Sequence, residues 1–293
     1  MSKILISGLV NVETTCRIES FPIQYQPIDY AFFGVNMAVS GVGYNAAKAM
    51  KALENEVTIT SMAGKDELYE LVKHQLKQIG VDAKIQTTLK QTPTSAVLYD
   101  HEGKRRIYCD LKDIQEVQYD YQNINMQDYD LAVVCNINFS RPLLKKAKEA
   151  KVKICSDVHV LSDIHDEFNK EFMQYADILF LSNEAVIGRE NEMLTYLAGT
   201  YQNEIIVMGC GSEGARMYVK ADDKIYECEA SKPTKIVNTV GAGDALFSAF
   251  VSMYAGGKDA MECLRLAQEF AVHKIGFDGA AQGFMTLDEL LKK

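Results

Sequence analysis

The 293-residue chain is 47% hydrophobic and 24% charged, an ordinary composition for a globular protein with a sizeable core. Its net charge of -9 argues against a nucleic acid as the main partner, because polyanion binding normally shows a basic excess or a stripe of lysine and arginine. The chain begins without a long apolar segment or a cleavage-like site, and no run approaches a membrane span, so we expect a cytoplasmic protein with no membrane partner. The seven cysteines lack C-x-x-C spacing and are expected to be free thiols.

After a first strand at Lys3 to Ser7, short β segments are predicted in two places. Residues 14–39 are rich in Thr, Ile, Phe and Tyr, and two prolines divide the part from Arg17 to Val39 into pieces that suit edge strands of a small sheet. Ser95 to Asp100 and Arg105 to Asp110 are two further short strands, and the turn between them at 101–104 is typical of a hairpin. Both segments predict a small sheet outside the main core.

From residue 41 onward, helices and strands alternate. The predicted elements are a helix opening at Gly41, a strand at Val57 to Thr60, a helix at Leu68 to Ile79, a strand at Leu131 to Cys135, a helix at Pro142 to Ala150, strands at Val152 to Cys155, Ile178 to Leu181 and Ile205 to Met208, a hairpin of Arg216 to Val219 with Lys224 to Cys228, and helices at Ala245 to Ala255, Asp259 to Ile275 and Leu287 to Leu291. This alternation is typical of a parallel sheet covered by helices on both faces. We therefore predict a single α/β domain over residues 1–293.

The stretch Asn238 to Phe247 carries the clearest chemical signal. Gly241 and Gly243 flank Ala242, so the backbone there can pass close to a ligand, and the apolar run that follows predicts a buried helix. A helix N-terminus offers free N–H groups and about half a positive charge, which suits a phosphate. Asp244 lies at the rim of that field, which should keep it ionised. A carboxylate there can orient a hydroxyl group and take its proton during phosphoryl transfer.

Residues 238–250, N-T-V-G-A-G-D-A-L-F-S-A-F, resemble the carboxy-terminal signature of the ribokinase-like (PfkB) carbohydrate kinases. The resemblance covers nearly the whole chain, from Gly8 to Leu290. It implies a three-layer α/β/α domain with a mostly parallel central sheet and a β-sheet lid formed by about residues 11–39 and 93–112. It also implies that ATP, with Mg²⁺, phosphorylates a hydroxymethyl group of a small sugar. The implied catalytic residues are Gly241, Ala242 and Gly243, which would hold the phosphoryl group, and Asp244, which would take the hydroxyl proton.

Residues 40–46, S-G-V-G-Y-N-A, admit two interpretations. Read as G-x-G-x-x-A, they match a dinucleotide fingerprint and would indicate an oxidoreductase, but the strand at Val57 to Thr60 has no acid at its tip and the motif does not follow the first strand. The same residues resemble the amino-terminal signature of the ribokinase family, in which glycines and an asparagine hold sugar hydroxyls. Glu13 lies where many members have an Asp, which implies a substrate held differently or a smaller one. The substrate-binding candidates are Asn11, Glu13, Gly41, Asn45 and, at a strand end where ligands gather, Asn138.

The resemblance also assigns a nucleotide side. Residues 211–214 resemble the family's turn under the ATP phosphates, and residues 183–186 align with an N-x-x-E motif that organises magnesium and phosphate through water. Val186 replaces the final Glu of that motif. Asn238 lies where potassium-activated members have an Asp, which leaves dependence on a monovalent cation open. The nucleotide-binding candidates are Asn183, Glu184, Gly209, Gly211, Gly214 and His273; His159 is a candidate for the cleft wall, and no protein metal ligand is predicted.

Aromatic residues of the lid leave the substrate class open. They could stack a nucleoside base, or they could pack within the lid and pair it with a second copy of the chain, which is the interpretation we favour. We therefore expect a free sugar as substrate and a homodimer through the lid. A nucleoside kinase is the alternative within kinases, and a catalytically silent nucleotide- or sugar-binding regulator is the alternative from another class. The aromatic residues concerned are Phe21, Tyr25, Tyr30, Phe32 and Phe33.

Overall fold

The apolar runs of the sequence become the strands of two sheets. The computed structural model describes residues 1–102 and 104–293. Its strands are β1 (Lys3–Ser7), β2 (Asn11–Arg17), β3 (Val35–Ser40), β4 (Glu56–Met62), β5 (Asp82–Gln86), β6 (Thr94–Tyr99), β7 (Arg105–Asp110), β8 (Leu131–Val134), β9 (Lys153–Val160), β10 (Ile178–Ser182), β11 (Ile205–Gly209), β12 (Ala215–Val219) and β13 (Lys224–Cys228). Nine of them form the central sheet, in the order β13-β12-β11-β10-β9-β8-β1-β4-β5. The strands from β11 to β5 run parallel, and β12 and β13 add an antiparallel edge.

Helices cover both faces of the central sheet. They are α1 (Val42–Ala52), α2 (Glu67–Ile79), α3 (Arg141–Glu149), α4 (Lys170–Tyr175), α5 (Glu190–Thr200), α6 (Ala242–Ala255), α7 (Ala260–Lys274) and α8 (Leu287–Leu290). On the interior strand β1, Ile4 and Ile6 belong to a core with α1, α6 and α7, whereas Leu5 belongs to a second core with α3, α4 and α5. Successive residues of a strand face opposite sides of the sheet, so burial on both sides requires an unbroken apolar run. The predicted three-layer α/β/α architecture is confirmed.

The second sheet has four strands in the order β3-β2-β6-β7. β2 and β6 are parallel, and the other two pairs are antiparallel. The prediction of short strands throughout residues 17–39 is wrong in part, because residues 18–34 contain turns and bends but no strand between the end of β2 and the start of β3. Pro22 and Pro27 interrupt this segment, and its Phe33 side chain is 99% exposed. The predicted hairpin turn at 101–104 includes Gly103, which lies outside the described residues.

Three elements of the structure were not predicted from the sequence. β5 is a polar edge strand, Asp-Ala-Lys-Ile-Gln, that lacks the expected β-branched run. α4 has only six residues, and α5 has no clear division between an apolar and a polar face. None of the described helices is long and apolar enough to cross a membrane.

Candidate active site

The loop before α6 meets the turn at residues 279–281. Gly241 caps α6 with φ 78°, and a Cβ atom on it would lie 2.3 Å from the carbonyl oxygen of Ala280, so only glycine fits there. Gly243 differs, because an added Cβ would meet nothing within 4 Å. Within the described residues, the N–H groups of Gly243 and Asp244 have no acceptor. The first turn of α6 therefore presents free donors to open space, as an anion site requires.

Asp244 is partly buried beside these donors. Its Oδ2 accepts a hydrogen bond from the Asn45 side-chain amide at 2.7 Å, which joins the starts of α1 and α6. Burial raises the pKa of Asp244 above its ordinary value, and the interactions of its carboxylate with His159 and with the Asn45 amide oppose that rise. We expected the helix field to keep this carboxylate a weak base. The raised pKa instead makes Asp244 a stronger base than an exposed Asp.

Two buried amide oxygens near the start of α1 have no partner, one on Asn45, which contacts this carboxylate, and one on Asn11 near Gly41. Asn45 and Asn11 are 4% and 5% exposed, and the Oδ1 atom of each is buried without a hydrogen bond among the described residues. The amide nitrogen of Asn11 donates to the Ser95 hydroxyl at 3.0 Å, which fixes the side chain and directs its oxygen towards Gly41. A buried acceptor without a partner costs about 1–3 kcal/mol, which a ligand hydroxyl can recover.

Glu13 links this cluster to a cleft of about 800 Å³ between the second sheet and two loops, residues 236–240 and 278–282. Burial raises the pKa of Glu13; the Ser95 hydroxyl opposes the rise, and the nearby Asp244 carboxylate adds to it. The volume falls within the roughly 300–1,000 Å³ usual for small-molecule sites. The carboxylate of Glu13 thus faces a space large enough for a small sugar.

The candidates on the nucleotide side lie at the ends of β10 and β11. Asn183 is buried, and its amide nitrogen donates to Oε1 of Glu190 at 3.0 Å. Glu190 also accepts the N–H of Gly188, and its pKa is lowered mainly by the Asn183 hydrogen bond. Val186, at the position of the motif's Glu, packs in the core. The carboxylate that contacts the Asn183 amide is instead that of Glu190, seven residues after Asn183. Gly209 ends β11, and Gly211 and Gly214 bound a tight turn between β11 and β12.

Among the described residues, three predicted site residues form no side-chain hydrogen bond with the other sugar-side or nucleotide-side candidates. They are Asn138, Glu184 and His273. Asn138 donates to the carbonyl oxygen of Gln115 and accepts from Arg141, so both ends of its amide are used within the fold. Glu184 is exposed. His273 is exposed in the last turn of α7, where its ring packs against Phe277.

Two residues that the sequence did not mark, Lys274 and Asp157, lie near Asp244 together with the predicted His159. Lys274 is fully buried at the end of α7, and its ammonium group donates to the carbonyl oxygen of Val240. Asp157 lies 3.5 Å from Nδ1 of His159 at the end of β9, where the register with β10 shifts. His159 has φ 57°, a left-handed conformation that costs free energy and is found at functional sites. Lysine in the last turn of a helix is common, so no local signal marked Lys274.

The architecture is shared with solved kinases. A microbiome-derived acarbose kinase superposes with a TM-score of 0.90 at 22% identity, over 99% of this chain and 98% of that one. The fold is that of the ribokinase-like kinases. The chain belongs to the family described as "pfkB family carbohydrate kinase", which matches residues 1–286.

Two relatives bear on the reaction. An ATP-dependent ribose-1-phosphate kinase of Halopiger xanaduensis is 21% identical over 285 residues, 96% of this chain and 94% of the relative. A nucleoside kinase of Methanocaldococcus jannaschii is 20% identical over 301 residues, 100% of this chain and 97% of the relative. Members of the family are kinases that phosphorylate sugars or nucleosides.

Proposed function

We propose that this protein transfers the terminal phosphoryl group of ATP to a hydroxymethyl group of a small sugar. The observation that carries the proposal is the pair of unpartnered, buried amide oxygens on Asn11, near Gly41, and on Asn45, which contacts the Asp244 carboxylate. Acceptors of this kind match the hydroxyl donors of a sugar, whereas an apolar ligand would leave them unsatisfied.

In this mechanism Asp244 accepts the proton of the attacking hydroxyl while the new oxygen–phosphorus bond forms and ADP leaves. Its raised pKa favours that role. The free N–H groups of Gly243 and Asp244 stabilise negative charge on the transferred group. Asn11, Glu13 and Asn45 hold the sugar so that the reacting hydroxyl lies beside the carboxylate.

ATP, as its magnesium complex, supplies the phosphoryl group. The donor set fits it, since the open first turn of α6 suits phosphate and the amide of Asn183 suits a magnesium-bound water. Gly209 and the turn from Gly211 to Gly214 would lie along the phosphates. The four-stranded sheet, with its adjoining segments at about 11–39 and 93–112, would serve as the lid over the sugar.

A nucleoside kinase is the second candidate, and it has a specific observation in its favour. The lid segment exposes several aromatic side chains, including Tyr25 at 93% and Phe33 at 99% exposure, and aromatic rings can stack a base. We favour the sugar because these rings face solvent. The roles proposed for Asn11 and Asn45 hold for the ribose of a nucleoside as well. A silent binding protein is the third candidate.

The test combines ligand binding with turnover. A thermal-shift screen of sugars and nucleosides with a non-hydrolysable ATP analogue identifies ligands, because binding to the native state raises its stability by mass action. ADP release is then measured with each hit. Faster phosphorylation of pentoses, hexoses or keto-sugars than of any nucleoside supports the proposal. The opposite order overturns the sugar assignment, and binding of ATP without transfer to any acceptor favours the silent regulator.

A further inference from the structure

Lys274 places a cation in the protein interior without a carboxylate to pair it. The side chain is 0% exposed, and no Asp or Glu oxygen of the described residues lies within 4.0 Å of its ammonium group. Its hydrogen-bond acceptor is the backbone carbonyl of Val240. Lysine is almost never fully buried unless it is paired, because the desolvation of a charge is costly. A buried ammonium group held only by a peptide carbonyl is therefore unusual and costs stability.

The carbonyl that it holds belongs to the anion loop, which we define as residues 238–244. Three contacts already attach this loop and the residue before it to the chain after α7. The N–H groups of Val237 and Asn238 donate to the carbonyl oxygen of Ile275, and Gly241 packs against Ala280. The Asn238 side chain accepts the N–H of Val240 at 2.8 Å and donates to Asp278 at 3.0 Å. The Val240 carbonyl is left for Lys274, directly before the glycine that starts α6.

We propose that Lys274 is a positioning residue whose ammonium group is a built-in cation of the anion loop, fixing the Val240 peptide so that the N–H groups after Gly241 face the transferred phosphoryl group. The same positive charge, buried behind the loop, strengthens its attraction for phosphate. An internal ammonium in this place makes a monovalent cation from solution unnecessary. This inference rests on the proposed phosphoryl transfer.

The charge of Lys274 depends on pH within an accessible range. Burial lowers the pKa of Lys274 to about 8; the carboxylates of Asp244 on α6 and Asp278 after α7 oppose that shift, and Arg105 on β7 adds to it. The ammonium is present below that value and is lost as the pH rises through it. Activity should therefore fall as the pH rises through about 8.

Stability should change in the opposite direction. Because the ordinary pKa of a lysine side chain in water is 10.5, the folded protein holds fewer protons at Lys274 than the unfolded chain does between pH 8 and 10.5. The contribution of this residue to the free energy of unfolding then rises with pH across that window. If activity falls near pH 8 while the free energy of unfolding does not, the loss is caused by deprotonation of Lys274 and not by unfolding.

The test compares Lys274→Met, which keeps length without charge, with Lys274→Arg and Lys274→Ala. Gln268→Met is the matched control, since Gln268 is buried on the same helix and donates to the carbonyl of Cys228 at 3.0 Å, away from the loop. We expect Lys274→Met to lower kcat by about 10- to 100-fold, less than the roughly 10²- to 10³-fold lost with a direct oxyanion donor because Lys274 acts through the Val240 carbonyl, and Gln268→Met to change it little. Lys274→Arg should retain activity and move the alkaline limb of the pH profile upwards.

Rescue by small cations is the decisive measurement. In Lys274→Ala, potassium or ammonium chloride should restore part of the activity, compared with choline chloride at the same ionic strength, whereas the wild type should not respond. Lack of rescue in a folded Lys274→Ala, or a wild-type profile that stays flat through pH 8, would overturn the proposal. If Lys274→Met and Lys274→Ala do not fold, the profiles of the wild type and Lys274→Arg decide the question, because only the wild type should lose activity near pH 8.

A binding readout separates this proposal from the proposed function. The imido analogue of ATP should raise the melting temperature of the wild type and of Gln268→Met more than that of Lys274→Met, and potassium should restore the shift in Lys274→Ala. This comparison needs no acceptor sugar. If the ATP analogue raises the melting temperature equally in all variants, the role of Lys274 is contradicted even if kinase activity is found. If no acceptor is phosphorylated, the comparison of melting temperatures still tests the role of Lys274.

Discussion

Replacement of Asp244 by asparagine isolates its role as a base. Asparagine has the same size, and its side-chain oxygen can still accept the hydrogen bond that Asn45 donates at 2.7 Å. The amide cannot take a proton from the attacking hydroxyl. At a pH at which Lys274 stays charged, ATP should therefore bind as before, because the free N–H groups at the start of α6 are backbone groups that the substitution leaves in place.

The expected loss follows from the step that is removed. General-base catalysis contributes about 10²- to 10⁴-fold, and each factor of ten corresponds to about 1.4 kcal/mol in the barrier, so the barrier should rise by roughly 3 to 6 kcal/mol. A second effect is separable. The charge of Asp244 raises the pKa of Lys274, so Asp244→Asn lowers that pKa further below about 8. The loss of kcat in Asp244→Asn should therefore be larger above about pH 8 than at about pH 6.5, where Lys274 stays charged in both proteins.

The assay is ADP release under saturating substrate, with nucleotide affinity measured by calorimetry. Asp259→Asn is the matched control, because Asp259 caps α7 by accepting the N–H of Glu262 at 3.0 Å and asparagine is an equally good cap. Its kcat should stay at the wild-type value. A kcat for Asp244→Asn close to the wild-type value, with ATP bound, would remove Asp244 from the role of base.

Three further predictions concern the sugar, the metal and the lid. Glu13→Ala should lower kcat/KM for the true substrate by about 10- to 200-fold with little change in ATP affinity, since a charged hydrogen bond is worth about 1.5–3 kcal/mol; an equal loss of ATP affinity would contradict its place on the sugar. Activity should require Mg²⁺ carried by ATP but depend weakly on free Mg²⁺, because Val186 cannot hold a bound water; strong activation by excess Mg²⁺, unchanged in Asn183→Ala, would refute this. Phe33→Asp should convert a dimer into a monomer in light scattering, because Phe33 is 99% exposed in the lid segment, and a monomeric wild type would exclude the dimer.

Local patterns were sufficient where neighbouring residues decide the structure. β1 has the predicted limits, Lys3 to Ser7, and α2 starts one residue before the predicted Leu68. These elements have apolar runs or apolar periodicity. β5 could not be predicted in this way, because its polar sequence is held by pairing with β4, a partner distant in the chain. Residues 18–34 show the opposite case. Their composition favours strands, but they form none, because no neighbouring strand in the described part of the chain pairs with them.

The sequence by itself determined the anion loop. Gly241, Gly243 and Asp244 are close neighbours, and the field of a helix N-terminus belongs to the helix that follows. Only the tertiary structure decided what surrounds them. Asn45 reaches Asp244 across 199 residues and Lys274 reaches Val240 across 34, so no local pattern could pair them. The raised pKa of Asp244 and the lowered pKa of Lys274 have the same origin, because burial is a property of the packed chain and not of the residues next to each group.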